Sequence, residues 1–283
     1  MGSETTTSIG VPISAATAGL ALQNTQSGSA PVTATVNNVA VLTSLGTLNG
    51  TAGVNNNTVL AQSRGQAAQN SLALNAGTTL NASASLVNSQ INAGPVGSSI
   101  TGVGVGLTAG SVTGASSVGN NTVQASGTAN LAINSMDITG GTLAAATGGS
   151  TGALTATADY VALNHQNNLG DVSTSVNGAA IALANNSTSG SASVLNNAIL
   201  ADATGNSAIN RITLSTPGTA TADVAFNGFQ NNIGASVSSS ISGASISLST
   251  TGVGSFRTSG NRIGATATGN ASVSSISTRS SGL

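Results

Sequence analysis

Small apolar and polar residues alternate along most of this chain, and the alternation changes phase at regular places. In "NAILADATGNSAINRI" (residues 197–212), Asn197, Ile199, Ala201 and Ala203 share one parity. Beyond Gly205-Asn206 the same character moves to Ala208, Asn210, Ile212 and then Leu214. A period of two predicts a strand with one buried face. A phase change at Gly-Asn predicts a turn or arc, because glycine supplies φ > 0 without a Cβ penalty. Each such unit reads as strand, arc, strand and a Ser/Gly-rich return.

The unit recurs. Gapless copies begin at Asn57, Asn121, Asn197 and Asn261, with spacings of 64, 76 and 64 residues. A second family begins at Gln26, Gln90, Gln166 and Gln230 with the same spacings, its last copy carrying one extra residue. Superposed, the families give a ladder of Gly28, Asn57, Asn92, Asn121, Asn168, Asn197, Asn232 and Asn261, with steps of 29, 35, 29, 47, 29, 35 and 29. The long step places an insertion within 137–160. Arcs are expected at Gly65, at Gly205-Asn206 and at Gly269-Asn270.

Repeats at fixed period whose faces complement one another call for stacking. Val59, Val123, Ile199 and Ile263 in one family correspond to Ala30, Gly94, Gly170 and Gly234 in the other. If units of the two kinds alternate along the stack, large meets small at every step. Leu72, Leu107, Met136, Leu183, Ile212 and Ile276 would add one continuous apolar stripe. The predicted fold is all-β, a β-solenoid of about eight alternating 29–35-residue units. Residues 28–283 form the solenoid, and 1–27 an added start and a partial first turn. Stacked Asn amides can satisfy one another in the interior; the competing reading is that these Asn residues only favour turns.

Composition narrows the function classes. Only 11 residues are charged, none is Lys, and the net charge is −1, which gives no electrostatic case for nucleic acid or anionic lipid. Four aromatic residues cannot furnish base-stacking platforms or membrane-barrel girdles. There is no cysteine and no apolar run long enough for a transmembrane helix. "MGSETTTSIG" lacks the basic start and apolar core of a signal peptide.

At "TGNSAIN" (204–210) and "TGNASVS" (268–274) the chain resembles the curlin repeats of bacterial curli fibres, which place a Gly-Asn-x-Ala arc between short strands. Gly205-Asn206-Ser207-Ala208 matches in full, and Gly269-Asn270-Ala271-Ser272 departs at its last residue. With its "ATATGN" and "QNNxG" motifs the chain also resembles the β-repeat surface proteins of alphaproteobacteria, including holdfast anchor proteins. The resemblance implies secretion to the cell surface or beyond, surface attachment, and partners among outer-membrane secretion or anchor proteins and surface polysaccharide.

No motif points to an enzyme, a cofactor or a metal. His165 is the sole histidine and is expected at the surface. Asp159 and Asp223 each end "TATAD"; they are expected to face solvent with a rung between them, discouraging sideways aggregation. Asp202 and Arg211 flank the arc and could form a surface ion pair. The expected function is structural: a chain that self-assembles head to tail into, or anchors, extracellular fibres. The alternative is an ice- or glycan-binding solenoid, suggested by the pairs Thr33/Thr35, Thr155/Thr157, Thr219/Thr221 and Thr266/Thr268.

Overall fold

A computed structural model describes residues 15–145, 148–151 and 156–280. A short strand, β1 (Ala15–Thr17), precedes the first coil, formed by β2 (Leu20–Gly28), β3 (Val32–Asn37), β4 (Ala40–Leu48), β5 (Thr51–Asn55) and β6 (Thr58–Leu80). The second coil repeats the order as β7 (Ala84–Asn92), β8 (Val96–Thr101), β9 (Gly104–Val112), β10 (Ala115–Gly119) and β11 (Thr122–Leu143). An excursion follows with β12 (Gly148–Thr151) and β13 (Ala156–Ala158). The third coil is β14 (Tyr160–Asn168), β15 (Val172–Asn177), β16 (Ala180–Thr188), β17 (Ser191–Leu195) and β18 (Ala198–Thr216). The fourth is β19 (Val224–Asn232), β20 (Val237–Ser242), β21 (Ser245–Ser249), β22 (Ser255–Ser259) and β23 (Arg262–Ser280).

Corresponding strands stack in parallel, one from each coil, into five four-stranded sheets. The predicted all-β solenoid is thus the observed fold. Its eight units are laid two to a coil, and each unit stacks only on its own kind: Val59, Val123, Ile199 and Ile263 follow one another in a single column. Large residues therefore do not alternate with small ones along the axis, contrary to the expectation from the sequence. The small residues at Gly94 and Gly170 have another cause. A Cβ there would collide with the backbone carbonyls of Ala30 and Gly94, one coil below.

The predicted parity is correct throughout β18. Ile199, Ala201, Ala203, Ala208, Asn210, Ile212 and Leu214 are all buried. The arc, however, is not a turn. β18 continues through it unbroken, and Gly205 and Asn206 both face inward while Gly205 alone drops out of the pairing with the neighbouring coils. None of Gly65, Gly205 and Gly269 has a positive φ. Two consecutive inward residues bend the strand, and glycine is needed for room: a Cβ at 205 would meet Asn232 Oδ1 and the Gly269 carbonyl.

Left-handed backbone occurs instead at two corners of every coil, with Gly234 and Gly252 as further positions in the fourth. Asn38, Gly102, Gly178 and Gly243 form one set; Asn56, Asn120, Asn196 and Gly260 form the other. Asparagine and glycine are the residue types that tolerate this conformation best.

Among the described residues the interior has two large apolar zones and a small third cluster of Val96, Ala129, Val172 and Ala203. One large zone, enclosed by the second to fourth strands of each coil and the first half of the long fifth strand, contains Ile100, Val105, Leu107, Val123, Val176, Ile181 and Leu183. The other, between the first strand and the second half of the long strand, contains Leu86, Met136, Ile138, Tyr160 and Ile212. The expected single stripe is therefore two: Leu107 and Leu183 line one zone, and Leu72, Met136 and Ile212 the other.

The insertion leaves the stack intact. β7 pairs with β14 and β11 with β18 across it. β12 lies between β1 and β13 in a small antiparallel sheet, and this sheet rests against β7 and β14. Those two strands are consequently buried on both faces. The first coil already begins at Leu20, within the 1–27 segment expected to be a partial turn, and residues 1–14 lie outside the described residues.

Candidate functional site: amide ladders and open edges

The ladder residues of the first family form a continuous hydrogen-bonded column at the second left-handed corner. The Asn57 backbone N–H and Nδ2 donate to Asn121 Oδ1 at 3.0 and 2.9 Å. Asn121 donates in the same way to Asn197 Oδ1, at 3.0 Å for both groups. Asn197 donates to Asn261 Oδ1 at 3.0 and 3.1 Å. Each side chain also reaches back to the coil below: Nδ2 of Asn121, Asn197 and Asn261 donates to the carbonyls of Val54, Val118 and Val194. The corner would otherwise strand a backbone N–H and a carbonyl away from water, so the amide satisfies what the turn leaves over. The turning residue is its predecessor, Asn56, Asn120, Asn196 or Gly260. Ladder and turn are separate roles of adjacent residues.

The second family behaves differently. Asn92 Nδ2 donates to Asn168 Oδ1 at 3.0 Å, but Asn168 Nδ2 is buried without a partner. Asn232 turns to Gly269 O and Asn270 Oδ1. The arc residue Asn206 belongs to a column of its own, taking Asn130 Nδ2 at 2.7 Å and donating to Asn270 Oδ1 at 2.7 Å.

Further columns escaped the sequence reading. Gln90, Gln166 and Gln230 donate through Nε2 to Oε1 of Gln26, Gln90 and Gln166 at 2.8, 2.7 and 2.6 Å. The same amides donate across the interior to Leu131, Ser207 and Ala271 carbonyls. Asn70, Asn134 and Asn210 form a column. It is bonded across the interior to a parallel column of Asn88 and Asn164. This buried amide network lies between the two apolar zones. The signal that could have found it is the one that found the first ladder: Gln26, Gln90, Gln166 and Gln230 have the same 64, 76 and 64 spacing.

The ionisable groups sit apart. His165 is 3% exposed rather than at the surface, with its ring edge-on to Phe229 at 5.4 Å and its Nε2 3.1 Å from Asn167 Nδ2. Burial lowers its pKa below the usual histidine value. Asp159 and Asp223 are on adjacent coils, with no rung between them, and Asp159 is 7% exposed. Asp159 Oδ2 accepts the Asp223 backbone N–H at 2.6 Å. Asp171 likewise accepts the Ser236 N–H and hydroxyl, which hold its carboxyl below the usual range. These acids cap backbone groups at corners. Asp202 accepts Gln124 Nε2 at 2.9 Å and has no ion pair with Arg211, which lies beyond the bend on the same strand. Among the described residues no three His, Cys, Asp or Glu side chains cluster as metal ligands.

The threonine pairs do not share a face. Thr33/Thr35 lie on β3 and Thr266/Thr268 on β23, while Thr219/Thr221 lie between strands and Thr155 is outside the described residues. Beside Thr35, the sheet continues outward with Ser99, Ser175 and Ser240.

Each sheet has two edges: β2 to β6 of the first coil bound one end of the stack and β19 to β23 the other. Among the described residues no strand pairs with either edge. Fold and site together define a parallel β-solenoid with an amide-laddered interior. No family model, curated protein or solved structure matches the chain.

Proposed function

We propose that the protein is a structural, adhesive element of a bacterial surface, one that builds or anchors extracellular fibres in the manner of curli or holdfast anchors. The observation that carries this reading is the pair of end coils, whose five strands each pair on one side only among the described residues. Open edges with backbone N–H and C=O groups are templates for further strands, and a head-to-tail interface that does not close produces a filament. The low charge of the chain, 11 charged residues in 283, supports the reading, since little repulsion opposes stacking of copies. Secretion to the surface, and partnership with outer-membrane export or anchor proteins, belong to the same proposal. Electron micrographs of the purified chain over a concentration series test it. Unbranched filaments are expected, and discrete particles at every concentration would overturn it.

One observation favours a second reading, an ice- or glycan-binding face. Thr35, Ser99, Ser175 and Ser240 form a hydroxyl column along the second strand position of the coil. Discrete particles that co-sediment with polysaccharide or adsorb to ice crystals would move this reading ahead.

A further inference from the structure

We infer that the fourth coil of one copy is completed by the first coil of a second copy in a single register, with Asn57 of the incoming copy stacked on Asn261. This deepens the fibre reading and rests on it: it names the partner, the polarity and the residue pairing of the seam.

The argument comes from what the two end coils lack. Inside the stack, every ladder Asn backbone N–H donates to the Oδ1 of the next coil. Among the described residues no coil follows Asn261, and its N–H has no such acceptor. Asn57 Oδ1 accepts nothing, whereas Asn121, Asn197 and Asn261 Oδ1 each accept two donors. The Asn57 Nδ2 has also been diverted. Its counterparts donate one coil down, to Val54, Val118 and Val194, but Asn57 donates to Asn55 O of its own coil at a long 3.3 Å. The position below it would be Thr258, the register partner of Val194. A second copy seated on the fourth coil supplies all three missing partners at once.

The glutamine column runs the other way and agrees. Its amides donate down the stack, from Gln230 to Gln166 to Gln90 to Gln26. The incoming Gln26 Nε2 therefore meets Gln230 Oε1, the acceptor left open at the top. Because one column donates upward and the other downward, neither end is all donor or all acceptor. Head-to-head or tail-to-tail contact would reverse the strand direction across the seam and mismatch both columns.

Apolar contacts follow the same register. Phe256, Ile263 and Ile276 occupy interior positions yet are 43%, 47% and 51% exposed on the last coil. They would seat on Ala52, Val59 and Leu72, the residues of the same columns in the first coil. Ala192 already tolerates Phe256 beside it in the stack.

Cysteine pairing tests the seam, since the native chain has none. Gln62 and Thr266 lie in one outward column, beside Ser126 and Asp202, at opposite ends of the stack. Within a chain they are three strand spacings apart, roughly 14 Å, beyond the roughly 7 Å limit for Cα atoms in a disulfide. Across the seam they are direct neighbours. The double variant Gln62→Cys/Thr266→Cys, oxidised at filament-forming concentration, is expected to give a covalent ladder of dimers, trimers and longer species on a non-reducing gel. A displaced pair, Asn75→Cys with Thr266→Cys, is expected to stay monomeric. Filaments in micrographs with no ladder from the registered pair, or an equal ladder from the displaced pair, would overturn the seam and leave the fibre reading standing. If neither filaments nor ladders form while circular dichroism shows a folded chain, both fail together.

Discussion

Replacing Asn197 by Ala separates a structural ladder from a mere preference for turns. Asn197 is fully buried. Its Oδ1 accepts both Asn121 donors, and its Nδ2 donates to Val118 O and Asn261 Oδ1. Truncation orphans the buried Asn121 N–H, which costs about 2 kcal/mol. Two further bonds made by Nδ2 are lost at about 1 kcal/mol each, giving a total near 4 kcal/mol. Asn121 Nδ2 keeps its bond to Val54 O and adds little. The neighbouring Asn196 carries the positive φ of 55°; its replacement by Ala forces a Cβ-bearing, non-Asn residue into the left-handed region at about 1 kcal/mol. Asn261→Ala, at the exposed end of the same column, should also cost about 1 kcal/mol, because water reaches the groups it leaves behind. Urea midpoints with unchanged slopes give the comparison. If Asn197→Ala is no worse than Asn196→Ala, the column is incidental and the account of the interior is wrong.

Four other outcomes are expected. Ala201→Leu should lower stability by about 1–3 kcal/mol in a thermal melt, because Ala201 is fully buried with Ala125 and Ala265 beside it; an unshifted melt would mean that the site can expand. Gly205→Ala should cost a similar amount, about 1–3 kcal/mol by overpacking, from collision with Asn232 and Gly269, and a neutral result would show that the bend needs no such room. Burial lowers the His165 pKa, so the unfolded chain takes up a proton first as pH falls below about 6.5. Stability should therefore drop between neutral and mildly acidic pH, and His165→Phe should flatten that slope in urea midpoints taken at both. Removing twelve residues between Ala144 and Asp159 should preserve the β circular dichroism, since the stack closes without them. It should also raise dye binding by uncovering Val87, Leu163 and their neighbours, and loss of the folded signal would refute the separation of insertion and stack.

Much of the fold is legible because a strand writes its orientation into alternate residues. Ile199, Ala201 and Ala203, then Ala208, Asn210 and Ile212, name their own buried face, and Gly205-Asn206 marks the bend. What alternation does not carry is which unit lies beside which. Val59 can stack on Val123 or on the small Ala30-type position with the same period, and only backbone geometry decides. Sequence leaves turn and arc both open at Gly-Asn because that pair serves φ > 0 in most hairpins, whereas here glycine is needed to let Asn232 and Gly269 approach. His165 lies on the outward parity of β14, which alternation reads as exposed, and alternation does not carry what packs on an outer face. The first Asn column was legible, and the Gln and Asn70 columns were written in the same spacing. Their place in the middle of the interior was not, since polar residues on an inward parity usually argue against that parity.

The most direct test of a stacked solenoid that continues between molecules is the axial repeat of its filaments. Four coils at the usual strand spacing give a rise of about 19 Å per molecule, with a meridional reflection at about 4.8 Å. Helical reconstruction of the filaments should return that rise with strands perpendicular to the axis. Strands running along the filament, or a rise per molecule that four stacked coils cannot supply, would contradict the account.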